Sequence, residues 1–191
     1  MGRRTKAELP ADREINWSYE PTGEIHAAWG SGTMPSQYGY DAAGRMKTLT
    51  TYRTYPNVES KTEWEYHPQS GLPVSRINAD GGKTELAYNM DGLVTVRKNA
   101  RGIAALYSYD NAGLITGVDY SDSTPDVSYS YNRLGQIASV TDAAGARAFT
   151  YNTDGTIASE TLPQLGSGFA LGYTYDSLAR RTGLALTDGQ S

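Results

Sequence analysis

Residues 107–115 read Tyr-Ser-Tyr-Asp-Asn-Ala-Gly-Leu-Ile, and this stretch decides the fold. An aromatic or apolar residue stands two positions before a key tyrosine, Asp or Asn usually follows the tyrosine, and a glycine comes three residues later. Close copies lie at 38–46, 129–137 and 149–157. The spacing between successive key tyrosines is 20 to 26 residues, and a period in this range marks a repeat array. The eight key tyrosines are Tyr19, Tyr40, Tyr66, Tyr88, Tyr109, Tyr131, Tyr151 and Tyr175.

Each copy encodes a strand, a tight turn and a second strand. Aromatic residues at period two lie on one face of a strand and favour a pleated surface. Asp or Asn can bond a backbone N–H two residues on, and glycine adopts positive φ without steric cost. The sequence therefore predicts an all-β fold, an array of antiparallel β-hairpins that forms a curved or spiralling sheet. The residues expected to shape its turns are Asp41, Asp110, Asn132 and Asn152, with Gly44, Gly92, Gly113, Gly135 and Gly155.

Some copies depart from the pattern. The first has Glu20-Pro21 after its tyrosine, so its Asx bond should be missing, and the third has His67 in the Asp/Asn position. The last has Ala179 in place of glycine, which predicts a different or frayed turn because left-handed geometry costs a non-glycine residue about 1–2 kcal/mol. An insert from Thr50 to Ser60 predicts a loop that bulges from the array.

Three segments are expected along the chain. Residues 1–14 are polar, carry no repeat signal and are predicted to be a flexible N-terminal segment. Residues 15–185 should form one β-array of about eight repeats, and residues 186–191 a C-terminal tail. Each end of such an array presents unpaired strand N–H and C=O groups. We therefore expect either homo-oligomers formed through the sheet edges or disorder in the N-terminal segment.

Composition excludes several classes of function. The net charge of −4 provides no basic surface for a nucleic acid, and no apolar run is long enough to span a membrane. No cysteine is present for disulfides or thiolate sites, and the basic N-terminus is not followed by the apolar segment of a signal peptide. Tyrosine is favoured strongly, with 15 residues against two phenylalanines. Tyrosine can bury its ring while its hydroxyl bonds to water or to a backbone group, which favours it in a thin sheet that has no deep core.

The residues that could carry chemistry are better explained by turns. His67 occupies a turn position, and His26 is expected simply to be exposed. Clusters such as 152–155 have the Asp and Asn content of calcium loops, with Glu160 as the one plausible later ligand. Hairpin turns require the same residue types for backbone reasons. We therefore predict no catalytic residue, no metal and no cofactor.

Exposed aromatic side chains leave one binding alternative open. The side chains of Trp17, Trp29 and Trp64 could stack on sugar rings. Aromatic residues at period two in a repeat more often pack against their neighbours along the array. A module that binds carbohydrate or a cell-surface partner is therefore kept as the alternative function.

The unit at residues 38–46, Tyr-Gly-Tyr-Asp-Ala-Ala-Gly-Arg-Met, resembles the YD repeat, also called the Rhs repeat. The resemblance covers residues 15–185. Proteins with such repeats include bacterial Rhs and polymorphic toxins, cocoon components of insecticidal toxin complexes, and teneurins. The resemblance implies a β-sheet that spirals into a hollow shell, which in the toxin members encloses a toxic domain. It also implies an exported or cell-surface bacterial protein.

Two departures from the family narrow this expectation. Complete shells contain many more than eight repeats, and the family's self-cleaving segment has no counterpart here. We therefore expect a piece of a shell or a short stand-alone array. Its expected role is non-enzymatic and structural, and its expected partners are neighbouring repeats of the same or a second chain and an enclosed toxin domain, with a glycan as the alternative.

Overall fold

The computed structural model describes residues 2–54, 57–166 and 168–188. This part of the chain contains 17 β-strands and one short 3₁₀ turn, Pro163–Leu165. Each strand pairing within a unit joins strands that are consecutive in the chain, and each is antiparallel. The predicted all-β array of antiparallel hairpins is confirmed.

Contacts divide the chain into two compact units. The first consists of Met1–Tyr88 and Arg97–Gly102, and the second of Asn89–Val96 and Ile103–Ser191. One strand, β9 (Val94–Lys98), contributes residues to both units. The strands of the first unit are β1 (Lys6–Leu9), β2 (Arg13–Tyr19), β3 (Ile25–Trp29), β4 (Ser36–Tyr40), β5 (Met46–Thr54), β6 (Val58–Tyr66), β7 (Pro73–Ile77) and β8 (Lys83–Tyr88). Those of the second unit are β10 (Ala104–Tyr109), β11 (Ile115–Tyr120), β12 (Val127–Tyr131), β13 (Ile137–Asp142), β14 (Gly145–Tyr151), β15 (Ile157–Thr161), β16 (Ala170–Tyr175) and β17 (Arg181–Thr187).

Every key tyrosine ends the first strand of its hairpin, and at seven of the eight a β-bulge lies opposite it. In the β10–β11 hairpin, Ser108 pairs with Gly117 and Tyr109 with Ile115, so Thr116 is the extra residue. The same shift occurs in six further hairpins, β2–β3, β4–β5, β6–β7, β12–β13, β14–β15 and β16–β17. A bulge increases the local twist and redirects the side chain of the extra residue.

The two faces of each hairpin differ in character. On one face an aromatic residue pairs with an aliphatic one, as Tyr107 does with Val118, and both strands contribute to a packed row. On the other face the pairs are small and polar, and Ser130 Oγ lies 2.7 Å from Ser139 Oγ. Val118 and Val140 are buried, but no described side chain is completely buried. The hairpins therefore form thin sheet with modest burial on either side.

Two segments differ from their sequence-based expectations. The strand β1 lies within residues 1–14, and Lys6 to Leu9 pair with Asn16 to Arg13 of β2. The prediction that the insert 50–60 is a bulging loop is wrong, because β5 and β6 extend through it and Tyr52 pairs with Glu59. The β-branched residues of this insert favour strands, and pairing satisfies their backbone groups. Pro56 lies outside the described residues, as do residues 189–191 of the predicted tail.

Candidate functional site

A row of tyrosine hydroxyl groups ties each repeat to the one before it. Seven of the eight key tyrosines donate a hydrogen bond from Oη to a backbone carbonyl, six of them in the preceding repeat and Tyr19 in the N-terminal segment. In six of these bonds the acceptor is the first residue of that repeat's second strand. The pairs are Tyr19–Arg4 (2.6 Å), Tyr40–Ile25 (2.9 Å), Tyr66–Met46 (2.6 Å), Tyr88–Pro73 (2.7 Å), Tyr109–Val94 (2.6 Å), Tyr131–Ile115 (2.7 Å) and Tyr151–Ile137 (2.8 Å).

The ends of this row follow a different pattern. Tyr175 has no such bond among the described residues. At the other end, Tyr19 donates to Arg4, which lies just before β1, so this segment takes the place of a preceding repeat's second strand. The backbone N–H of Trp17 also donates to Thr5 O at 2.9 Å. The sequence contained no local signal for these contacts, because the partners are 14 to 20 residues apart.

Burial of the tyrosine rings changes the acidity of their hydroxyl groups. It raises the pKa of Tyr40, Tyr88 and Tyr131 above the ordinary value for tyrosine. Desolvation disfavours the charged phenolate, which also cannot donate to a carbonyl. These three hydroxyl groups therefore remain protonated, and able to donate, over the physiological pH range.

Side-chain oxygens at the Asp/Asn positions bond to the backbone of their own turns. Asp110 Oδ1 accepts from the backbone N–H of Ala112 and of Leu114, both at 2.9 Å, and Gly113 N–H donates to Asp110 O at 3.0 Å. The equivalent side chain-to-backbone bonds are made by Asp41, Asn89, Asn132 and Asp176. The φ values of the predicted glycines, Gly44, Gly92, Gly113, Gly135 and Gly155, are positive, from 74° to 86°.

The irregular copies reach the same turn by other means. His67 Nδ1 accepts from the backbone N–H of Ser70 at 3.2 Å, which is the turn role predicted for it. In the seventh repeat Asp154, not Asn152, accepts from the backbone N–H of Thr156 at 3.0 Å. The last turn has not changed type, because Ala179 takes a positive φ of 58° and donates to Asp176 O.

An arginine follows the glycine position in two copies and adds a charged contact. Arg45 Nη2 lies 2.7 Å from Asp41 Oδ2, and its guanidinium lies 4.5 Å from the ring centroid of Tyr66 in the next repeat. This hydrogen-bonded arginine lowers the pKa of Asp41 below its usual value. Arg180 forms the equivalent pair with Asp176 at 2.8 Å. Arg45 therefore links its own turn to the aromatic row of its neighbour.

The concave regions of the first unit include two that are lined by tryptophan and tyrosine. One, of about 400 Å³, is lined by Trp64 and Tyr66 together with Arg76 and Arg97. The other, of about 330 Å³, is lined by His26, Trp29, Gln37 and Tyr52 among others. The side chain of His26 is 42% exposed, and its Nδ1 lies 2.7 Å from Glu20 Oε1.

The acidic side chains considered as metal ligands are engaged in other bonds. Glu160 Oε1 accepts from the hydroxyl of Tyr173 at 2.8 Å, and Asp154 bonds within its own turn. In the described ranges, no three His, Asp or Glu side chains are grouped as a metal site. No helix in this part of the chain has the length and apolarity needed to cross a membrane.

Comparison with solved structures finds the same fold within proteins of much greater length. The crystal structure of TcdB2-TccC3 aligns with a TM-score of 0.59 at 11% identity, over 95% of this chain and 13% of that one. The crystal structure of TcdB2-TccC3-Cdc42 aligns with a TM-score of 0.57 at 12% identity, over 94% and 13%. No family model matches the sequence, and no curated protein matches it. This chain thus has the fold of a segment that makes up 13% of those chains.

Proposed function

We propose that this chain is a non-enzymatic, structural segment of YD repeats that builds part of the wall of a protein shell. The shell would enclose or present a toxin or effector domain. The repeat resemblance and the fold shared with TcdB2-TccC3 support this role. TccC3 is also a component of a Photorhabdus luminescens Tc holotoxin.

The tyrosine hydroxyl row is the observation that carries the proposal. A wall one sheet thick has no deep core, and no described side chain here is completely buried. Stability must then come from contacts between neighbouring repeats, as in other repeat proteins. A hydroxyl-to-carbonyl bond at seven successive positions supplies such a contact without requiring a second layer. An enzyme would instead need converging reactive groups, and the turn carboxylates are used by the turns.

The proposal is tested on the native protein. Antibodies raised against these repeats should isolate, from the producing cells, a particle that contains a second folded or unfolded polypeptide segment inside the repeat wall. Electron microscopy would reveal the hollow particle, and limited proteolysis should cut the enclosed segment only after the wall has been opened by heat. Isolation of repeats with no enclosed segment, and with every cleavage site accessible from the start, would contradict the proposal.

The same preparation tests the hydroxyl row. The enclosed segment should be cleaved faster in a Tyr131→Phe variant than in the parent particle, because one bond between neighbouring repeats is lost. Protection that is unchanged in the variant would show that the hydroxyl row does not hold the wall together.

A further inference from the structure

Three residues that depart from the repeat pattern, Glu20, His26 and Tyr52, lie close together in the first unit. Glu20 stands where other repeats have Asp or Asn, and His26 is the extra residue of the bulge opposite Tyr19. The corresponding bulge residues in the other hairpins with this shift are Lys47, Val74, Thr116, Ala138, Ala158 and Thr182. Tyr52 belongs to the arm formed by the insert of the second repeat. His26 and Tyr52 line the cavity of about 330 Å³, and Glu20 bonds to His26 beside it.

These side chains form a continuous chain of hydrogen bonds. His26 Nδ1–H donates to Glu20 Oε1 at 2.7 Å, which leaves the Nε2 lone pair to accept from the Gln37 amide N–H at 3.4 Å. The hydroxyl of Tyr52 donates to Gln37 Oε1 at 3.1 Å, and the ring of Tyr52 is only 9% exposed. Glu20 therefore fixes the orientation of the imidazole, and the imidazole and Tyr52 together fix the orientation of the amide.

The oriented amide faces a cavity with an exposed indole. Gln37 Nε2 carries two hydrogens and Oε1 two lone pairs, so one N–H and one lone pair remain for a ligand. Trp29 lines the same cavity and is 42% exposed. Small-molecule sites have volumes of about 300–1,000 Å³ and combine apolar or aromatic walls with a few oriented polar groups. This cavity has the same combination at the lower end of that range.

We propose that this cavity binds a neutral sugar residue of a glycan. The amide of Gln37 would make paired hydrogen bonds to two neighbouring hydroxyl groups, and the indole of Trp29 would cover the apolar face of the ring. The one carboxylate, Glu20, is already bonded to His26, which disfavours an anionic ligand and favours an uncharged one. This binding function goes beyond the shell role and does not depend on it.

The test uses the whole chain and a panel of neutral methyl glycosides of glucose, galactose, mannose and N-acetylglucosamine. Saturation-transfer NMR and tryptophan fluorescence should detect saturable binding of at least one glycoside, with a Kd in the millimolar range typical of a single small contact area. Trp29→Ala and Gln37→Leu should each weaken that binding by about tenfold or more, because each removes one of the two recognition elements.

Trp64→Ala is the matched control, because Trp64 lines the other cavity and shares no wall with this one. Its affinity should equal that of the parent chain. Failure of all four glycosides to bind, binding that survives Trp29→Ala, or binding lost in Trp64→Ala would each overturn the proposal. Circular dichroism checks that the variants are folded, and if Gln37→Leu unfolds, the exposed Trp29 decides the question alone.

Discussion

At the scale of single residues, the hydroxyl row explains why tyrosine so strongly exceeds phenylalanine. Phenylalanine occurs twice, at 149 and 169, and never at a key tyrosine position. Phe149 stands two residues before Tyr151, where the side chain only packs against its partner strand. A key position also requires a donor for the carbonyl of the preceding repeat, and phenylalanine has none.

Replacing one hydroxyl measures its contribution. Tyr131→Phe should lower the free energy of unfolding by about 1 kcal/mol, because Ile115 O loses a partner while the ring still packs. Urea unfolding of the purified chain measures the change. Tyr175→Phe is the control and should be nearly neutral, since the Tyr175 hydroxyl lacks this bond among the described residues. Equal losses in the two variants would contradict the role of the row.

Alkaline pH should weaken the hydrogen bonds of Tyr40, Tyr88 and Tyr131. The pKa values of Tyr40, Tyr88 and Tyr131 are raised in the folded state, so the folded protein binds more protons than the unfolded chain above the ordinary tyrosine pKa of about 10. The stability they contribute is complete below that value and is lost as pH rises through the folded pKa. Urea titrations at increasing pH should show this decline, and Tyr88→Phe should make it shallower. A flat profile would contradict it.

At the scale of elements, turns can be predicted from sequence because their chemistry is local. Asp or Asn and a glycine three residues later determine a turn from within five residues, and Asp110 and Gly113 behave as expected. The sequence could not predict β1, the extended insert arm or the Glu20–His26 contact. These depend on which strands become neighbours, and no short pattern encodes that information.

Glycine and alanine at equivalent turn positions provide a reciprocal test. Gly135 has φ of 76°, and an added Cβ would meet only Leu114 Cδ1 at 3.8 Å, so the cost of a side chain there is one of backbone conformation. Gly135→Val should lower the free energy of unfolding by about 1–2 kcal/mol or more, or shift the register of its hairpin. Ala179→Gly should raise it by about 0.5–1 kcal/mol, because strain is relieved at some cost in chain entropy. Both are measured by urea unfolding, and an unchanged midpoint for Gly135→Val would refute the turn assignment.

At the scale of the whole molecule, the outer strands of the two units differ in how they protect their edges. In the first unit β1 carries Lys6 and Glu8, and Lys6 pairs with Glu14 at 2.8 Å. In the second unit β17 pairs with β16 alone among the described strands, and its Leu184 and Leu186 are more than half exposed. Charged residues discourage pairing with another chain, and exposed apolar edges promote it.

Self-association should therefore proceed through β17. Light scattering of the purified chain should show growth with concentration, and a Leu184→Lys/Leu186→Lys variant should reduce that growth because the added charges repel a second copy. Lys6→Leu is the converse control and should increase association through β1. Growth that is identical in the parent chain and in the lysine variant would exclude this edge as the interface.

The direction of the hydroxyl bonds has a consequence for how the protein is made. Seven of the eight key tyrosines donate to a residue 14 to 20 positions earlier in the chain. During translation, the acceptor carbonyl has thus already left the ribosome when its tyrosine emerges. Each new hairpin can dock on a finished one without waiting for later sequence, and domains generally fold in this N-to-C order during synthesis. An array assembled in this way grows at its C-terminal end, where the edge of the last hairpin stays open until the next hairpin docks.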